Sequence, residues 1–166
     1  MSDVISPSQT IGPLYGFALM FDGSERTVSA DAGDAIRISG SVFDGEGKAI
    51  PYPDTLVELW QGDQWARARA DEDGIFRFVV RKPVAAPLPD GRAQAPHFTV
   101  AVFASGLIKQ VVTRLYFPDE RENSADPVLG LVPEAERHRL VARRTVDGLT
   151  FDIHLQGAEE SVFFDY

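Results

Sequence analysis

The stretch HFTVAVFASGLIKQVVTRLYF, His97 to Phe117, decides the fold class. Its two halves, His97 to Ala104 and Gln110 to Phe117, are rich in β-branched and aromatic residues, and SGLIK separates them. They read as a long central pair of strands. Moving outward, IRISGSVF (Ile36 to Phe43) alternates apolar with small or polar residues at period two, and DGEGK behind it supplies residues that tolerate positive φ. TLVELWQ (Thr55 to Gln61), WARARA (Trp65 to Ala70) and IFRFVV (Ile75 to Val80) follow, the last two joined by the acidic turn DEDG. LTFDIHLQG (Leu149 to Gly157) is a final strand. PEAERHRLVARR (Pro133 to Arg144) is expected to be the one short helix, with proline in its first turn, acids near its start and arginines near its end. The pattern predicts an all-β fold, a mainly antiparallel β-sandwich of about seven to nine strands with one short helix and extended N- and C-terminal arms.

The chain has 166 residues, the size of one domain, and 1–166 is read as a single β-sandwich whose first part, 1–35, is an N-terminal arm packing on a partner. A hydrophobic fraction of 44% with 11 phenylalanines is a globular composition. The net charge of −9 disfavours nucleic acid, because phosphate backbones are repelled. No window approaches the run of ~20 apolar residues that a membrane span needs, and the start of the chain lacks a signal-peptide pattern, so a cytoplasmic location is expected. There is no cysteine, and hence no disulfide framework, thiolate metal site or cysteine nucleophile. The arm SPSQTIGPLYGFAL (Ser6 to Leu19) carries Leu14, Tyr15 and Phe17, and the chain ends in SVFFDY with Phe163, Phe164 and Tyr166. Aromatic arms of this kind need their own domain or a partner to lie against.

In a strand, side chains alternate faces, so His97 and Thr99 share one side. This is the geometry of an H-x-H metal pair with a neutral hydroxyl in place of the second imidazole. A metal site needs three or four protein ligands, and neither His138 nor His154 is spaced to join it. DEDG lacks the alternating oxygen ligands of a calcium loop and reads as a solvated hairpin turn. Asp119, Glu120 and Glu122 read as a surface loop that keeps the sheet edge soluble. No nucleophile-elbow, P-loop or dinucleotide motif is present.

Four segments together resemble the intradiol ring-cleavage dioxygenases. They are SPSQTIGPLY, GSVFDGEGKAIPYPDTLVELWQ, APHFTVAVFASGLIKQVVTRLYFPDE and FDIHLQGAEESVFFDY, and they cover nearly the whole chain. The SQTxGP arm with the TRLYF strand is specific in combination, and the terminal VFFDY favours the alpha over the beta chain of the two-chain members. The GxVxDxxG hairpin alone also suits a free-standing transthyretin-like binding module without enzymatic activity. The resemblance implies a catalytic beta subunit that holds a non-haem Fe(III) with two tyrosines and two histidines. Aligned on Leu115 to Phe117, the first histidine position falls on His97 and the second on Thr99, both vestigial here. Neither tyrosine position is filled, since Tyr15, Tyr52, Tyr116 and Tyr166 lie elsewhere.

The implied role is therefore an iron-free alpha subunit in a hetero-oligomer of alpha-beta protomers, inactive alone. It would complete the pocket in which the beta subunit's Fe(III) and dioxygen cleave protocatechuate to 3-carboxy-cis,cis-muconate, a step of the beta-ketoadipate pathway. Thr10, Gly12 and Pro13 match arm residues at the pocket rim, and glycine permits close backbone approach. Ser105 stands at the rim where alpha chains carry an arginine suited to a carboxylate. Leu14, Tyr15, Phe17, Phe163, Phe164 and Tyr166 are the expected interface.

Overall fold

The computed structural model describes residues 15–165, and within them two sheets face each other across one core. The strands in chain order are β1 (Ala35–Phe43), β2 (Thr55–Gln61), β3 (Gln64–Arg69), β4 (Ile75–Arg81), β5 (Ala86–Pro87), β6 (Ala93–Gln94), β7 (His97–Ala104), β8 (Val111–Tyr116), β9 (Arg143–Thr145), β10 (Gly148–Thr150) and β11 (Ile153–His154). One sheet runs β3-β2-β7-β8, all antiparallel, and it contains the central pair expected from His97 to Phe117. The other places β1 between β4 on one side and β10 and β11 on the other. A small β5–β6 ladder stands apart.

The period-two pattern explains the core directly. Val57 and Leu59 of β2, Phe98, Val100 and Val102 of β7, and Phe76, Phe78 and Val80 of β4 point inward and are essentially solvent-free. The ring of Phe98 meets that of Phe117 with centroids 6.0 Å apart. A second, smaller cluster of Ala95, Tyr116, Leu129, Val132 and Leu140 lies beyond the end of β8.

The ladders of the sandwich are antiparallel except where β10 and β11 pair with β1 in parallel. Alternation of apolar residues identifies a strand but carries no information on the direction of its neighbour. The helix expected over Pro133 to Arg144 is a 3₁₀ helix, Glu134–Leu140, while the single α-helical turn among the described residues is Tyr15–Ala18. The chain leaves helical geometry at Val141, where the Ala142 N–H donates to the Tyr116 carbonyl at 2.9 Å. The free edge of β8 thus recruits the residues that would have continued the helix.

Gly40 decides how closely β1 and the last strand meet. A Cβ built there would lie 1.9 Å from the Phe151 carbonyl oxygen. The ladder is interrupted at this point, and the Ser41 N–H bonds the Asp152 carboxylate at 3.2 Å. Among the described residues no helix is long and apolar enough to cross a membrane.

Candidate functional site

β7 carries His97 at its first position, and its outer face continues through Thr99. His97 is 4% exposed. Its Nδ1 lies 2.7 Å from the Ala95 carbonyl, which can only accept, so Nδ1 carries the proton. Burial holds the imidazole below the ordinary histidine pKa and the Arg114 charge acts in the same direction, against the Ala95 carbonyl and Asp126. The neutral ring lies beside Tyr116, with centroids 5.3 Å apart.

β8 supplies the neighbours. The ladder sets Thr99 opposite Arg114 and His97 opposite Tyr116. Arg114 is buried and donates from Nη1 to the Gln94 side-chain oxygen at 2.7 Å and to the Tyr116 hydroxyl at 3.3 Å. The Tyr116 hydroxyl donates to Asp126 Oδ1 at 3.0 Å, and the same carboxylate accepts the backbone N–H groups of Ala95, Val128 and Leu129. Burial drives the Tyr116 pKa far above its usual value despite the guanidinium, so it is a phenol and a donor. The set around His97 is thus a neutral imidazole, a threonine hydroxyl, a neutral phenol committed to Asp126 and a guanidinium. These residues do not fit a ferric ion, which needs anionic phenolate donors and is repelled by a fixed cation. Among the described residues no three His, Cys, Asp or Glu side chains form a group that could hold a metal.

Ser105 lies beyond the opposite end of β7, roughly 25 Å along the strand from His97. It is exposed, and its N–H donates to the Asp54 carbonyl at 2.9 Å. The same turn carries Tyr52, against whose ring Phe17 packs edge-on at 5.2 Å. The first described residues of the arm and Ser105 therefore gather around one turn, away from His97. Thr10, Gly12, Pro13, Leu14 and Tyr166 lie outside the described residues, and of Tyr15 only the backbone is described. Phe163 and Phe164 are half-buried on their own domain, Phe163 against the main core and Phe164 against the smaller cluster with its ring 5.7 Å from Arg114. The tail is fixed by Thr113 Oγ1 donating to the Val162 carbonyl and by the Phe164 N–H donating to that of Val112.

The sequence reading missed an aromatic surface on the outer face of β2 and β3. Trp60 is 49% exposed, and its ring meets Trp65 with centroids 5.8 Å apart. Phe21 stacks on Trp65 and is itself exposed. Glu58, buried beneath, accepts from the Trp60 indole at 2.9 Å and from Arg67 Nε at 2.7 Å. Arg67 in turn donates to the Leu19 carbonyl at 2.7 Å. The alternation Trp65-Arg67-Arg69 within WARARA was the available signal, because it places all three on one face. The acidic segments are intrachain devices. Asp71 accepts the N–H groups of Asp73 and Ile75 and pairs with Arg77, closing the DEDG hairpin, and Lys82 pairs with Asp119 and Glu120.

No family model matches the chain. It is similar to the protocatechuate 3,4-dioxygenase alpha chain of Burkholderia cepacia, 33% identical over 195 aligned positions that cover 96% of each chain. The alpha chain of the same name from Pseudomonas putida is 34% identical, with 97% of this chain and 96% of that one covered. The protocatechuate 3,4-dioxygenase beta chain of B. cepacia is 32% identical over 76% of this chain and 66% of its own. Among solved structures, hydroxyquinol 1,2-dioxygenase from P. putida DLL-E4 superposes with a TM-score of 0.61 at 19% identity, covering 79% of this chain and 59% of that one. The dioxygenase domain of a carbohydrate-binding fusion protein from Streptomyces sp. SirexAA-E gives a TM-score of 0.59 at 25% identity, with 81% and 88% covered.

Proposed function

The chain belongs to the family of protocatechuate 3,4-dioxygenase alpha chains, within the intradiol dioxygenases, and on that premise we propose that it is an iron-free alpha subunit. In this reading it completes the pocket of a beta subunit that holds Fe(III) and cleaves protocatechuate with dioxygen to 3-carboxy-cis,cis-muconate. The observation that carries the reading is the setting of His97. The strand position of a histidine ligand is kept, while Thr99 beside it faces Arg114 and the nearest tyrosine, Tyr116, is held as a phenol by burial and Asp126. Such a site has neither the donors nor the charge to take a catecholate through a metal. The ferric ion supplies the Lewis acidity for ring cleavage in the beta chain, and this chain's share is to shape and close the pocket.

The rim is assigned to Thr10, Gly12 and Pro13 of the arm together with Ser105. The grouping of Phe17, Tyr52 and Ser105 about one turn supports a common rim. Residues Leu19 to Thr27 hold to this chain's own strands through Arg67 and Val79, so the arm's contact with a partner is assigned to residues before Leu19. The contact surface is assigned to Leu14, Tyr15, Phe17, the exposed sides of Phe163 and Phe164, and Tyr166, with Phe21 and Trp60 added. Leaving such aromatics wet forfeits about 25 cal/mol per Å² of apolar area.

Both tryptophans of the chain, Trp60 and Trp65, lie on this aromatic face, so its fluorescence reports on that face alone. Titration with a beta chain is expected to shift the emission to the blue and to produce protocatechuate cleavage that neither chain shows alone. A free-standing binding module would leave both emission and turnover unchanged.

A further inference from the structure

A cleft of about 910 Å³ opens between the segment Phe17 to Arg26 and the strands behind it. Phe17, Phe21 and Tyr52 form its aromatic walls, and Arg26, Arg69 and Arg77 also line it. Two of the three arginines are already matched, Arg77 by Asp71 and Arg26 by Glu25. Arg69 has no ion pair or hydrogen bond within the described residues. Its exposed guanidinium rests 4.6 Å from the centre of the Tyr52 ring, so one face is held by the ring while the N–H edge is open. A planar fork with free N–H groups beside aromatic walls suits a planar ligand that carries a carboxylate. Asp22 and Glu72 line the same cleft and are exposed, so the field of the cleft as a whole does not draw anions in. Recognition would rest on the single contact at Arg69, and a neutral ring or a cation would gain nothing from it.

We infer that this cleft binds an aromatic carboxylate, with Tyr52 and Phe17 against the ring and Arg69 meeting the carboxylate. The cleft adjoins the rim, since the turn that presents Tyr52 also carries Asp54, whose carbonyl holds the Ser105 N–H. Position 105 supplies no cation in this chain, whereas Arg69 lies on the same outer face of the sheet, opposite Leu56, which is itself opposite Phe103. Arg69 is therefore a group near this end of the sheet, without an acidic partner among the described residues, that can distinguish a carboxylated catechol from a plain one. The identity of the ring as a dihydroxybenzoate rests on the proposed function, while the preference for a carboxylate rests on the cleft alone.

All of the lining belongs to this chain, so the test uses the full chain by itself. Its affinities for 3,4-dihydroxybenzoate and for catechol are measured by calorimetric titration, in the native protein and in Arg69→Gln and Arg69→Lys. The native chain is expected to favour the carboxylated ligand by about tenfold, the scale of one charge-assisted contact. Arg69→Gln should abolish that preference and Arg69→Lys retain part of it. No binding, equal affinity for the two ligands in the native chain, or an undiminished preference in Arg69→Gln would overturn the inference. A chain that discriminates as expected but never supports turnover by a beta chain would leave the cleft assigned and refute the proposed function instead.

Discussion

His97 keeps an imidazole where a ligand would stand, yet burial and the Arg114 charge favour its neutral, hydrogen-bonded form over the pull of the Ala95 carbonyl and Asp126. The sequence showed the missing second histidine at Thr99. It did not show the reason that the first is structural, because Gln94, Arg114, Tyr116 and Asp126 meet around it only through the β7–β8 ladder and the turn after β8. The depressed pKa gives a measurable consequence. Below the ordinary value of 6.5 the unfolded chain takes up a proton that the folded chain refuses, so stability falls as pH drops from 6.5 through the lower folded value and is fully present above 6.5. Urea unfolding of the native chain between about pH 7 and about pH 5 should therefore show a steeper loss than that of His97→Asn, since histidine is the side chain that titrates in this range. Identical slopes would mean that His97 is not held neutral by the fold.

At the scale of elements, β2 and β7 were legible to the residue, because their alternation and β-branched content act locally. Two features that depend on distant partners were not. The end of the 3₁₀ segment at Leu140 follows from the bond between Ala142 and Tyr116, and the parallel seat of β10 and β11 follows from Gly40. Gly40 read as one more small residue in ISGSVF, yet its lack of a Cβ lets the last strand lie against β1 and leaves room for the Phe76 ring, which a Cβ would meet at 2.8 Å. Gly40→Ala is expected to cost about 3 kcal/mol, the upper end of forced core overpacking, with a lower denaturation midpoint in urea. Gly47→Ala is a useful comparison, since a Cβ there meets nothing within 4 Å and only its positive φ of 76° is strained. A Gly40→Ala penalty no larger than that of Gly47→Ala would contradict the close approach.

For the whole molecule, the termini act as clasps. Ser24, Glu25 and Thr27 bond to the β3 and β4 backbones, and Phe164 bonds to β8, so edge groups that could template aggregation are engaged. The sandwich and its family resemblance were readable in the sequence because four separated segments carried them, whereas the aromatic face of Phe21, Trp60 and Trp65 was not, since it is assembled from three separate stretches of chain. At this scale stands the proposed division of labour between two related chains, a beta chain that would hold the metal and this chain, which would not. The most direct measurement is iron content and visible absorption of this chain purified alone and in complex with a beta chain, alongside protocatechuate turnover. The chain alone should be colourless, iron-free and inactive, and the complex should carry iron in proportion to its beta chain with the absorption of tyrosinate-bound Fe(III). Stoichiometric iron with catechol cleavage in the chain alone would contradict the iron-free role.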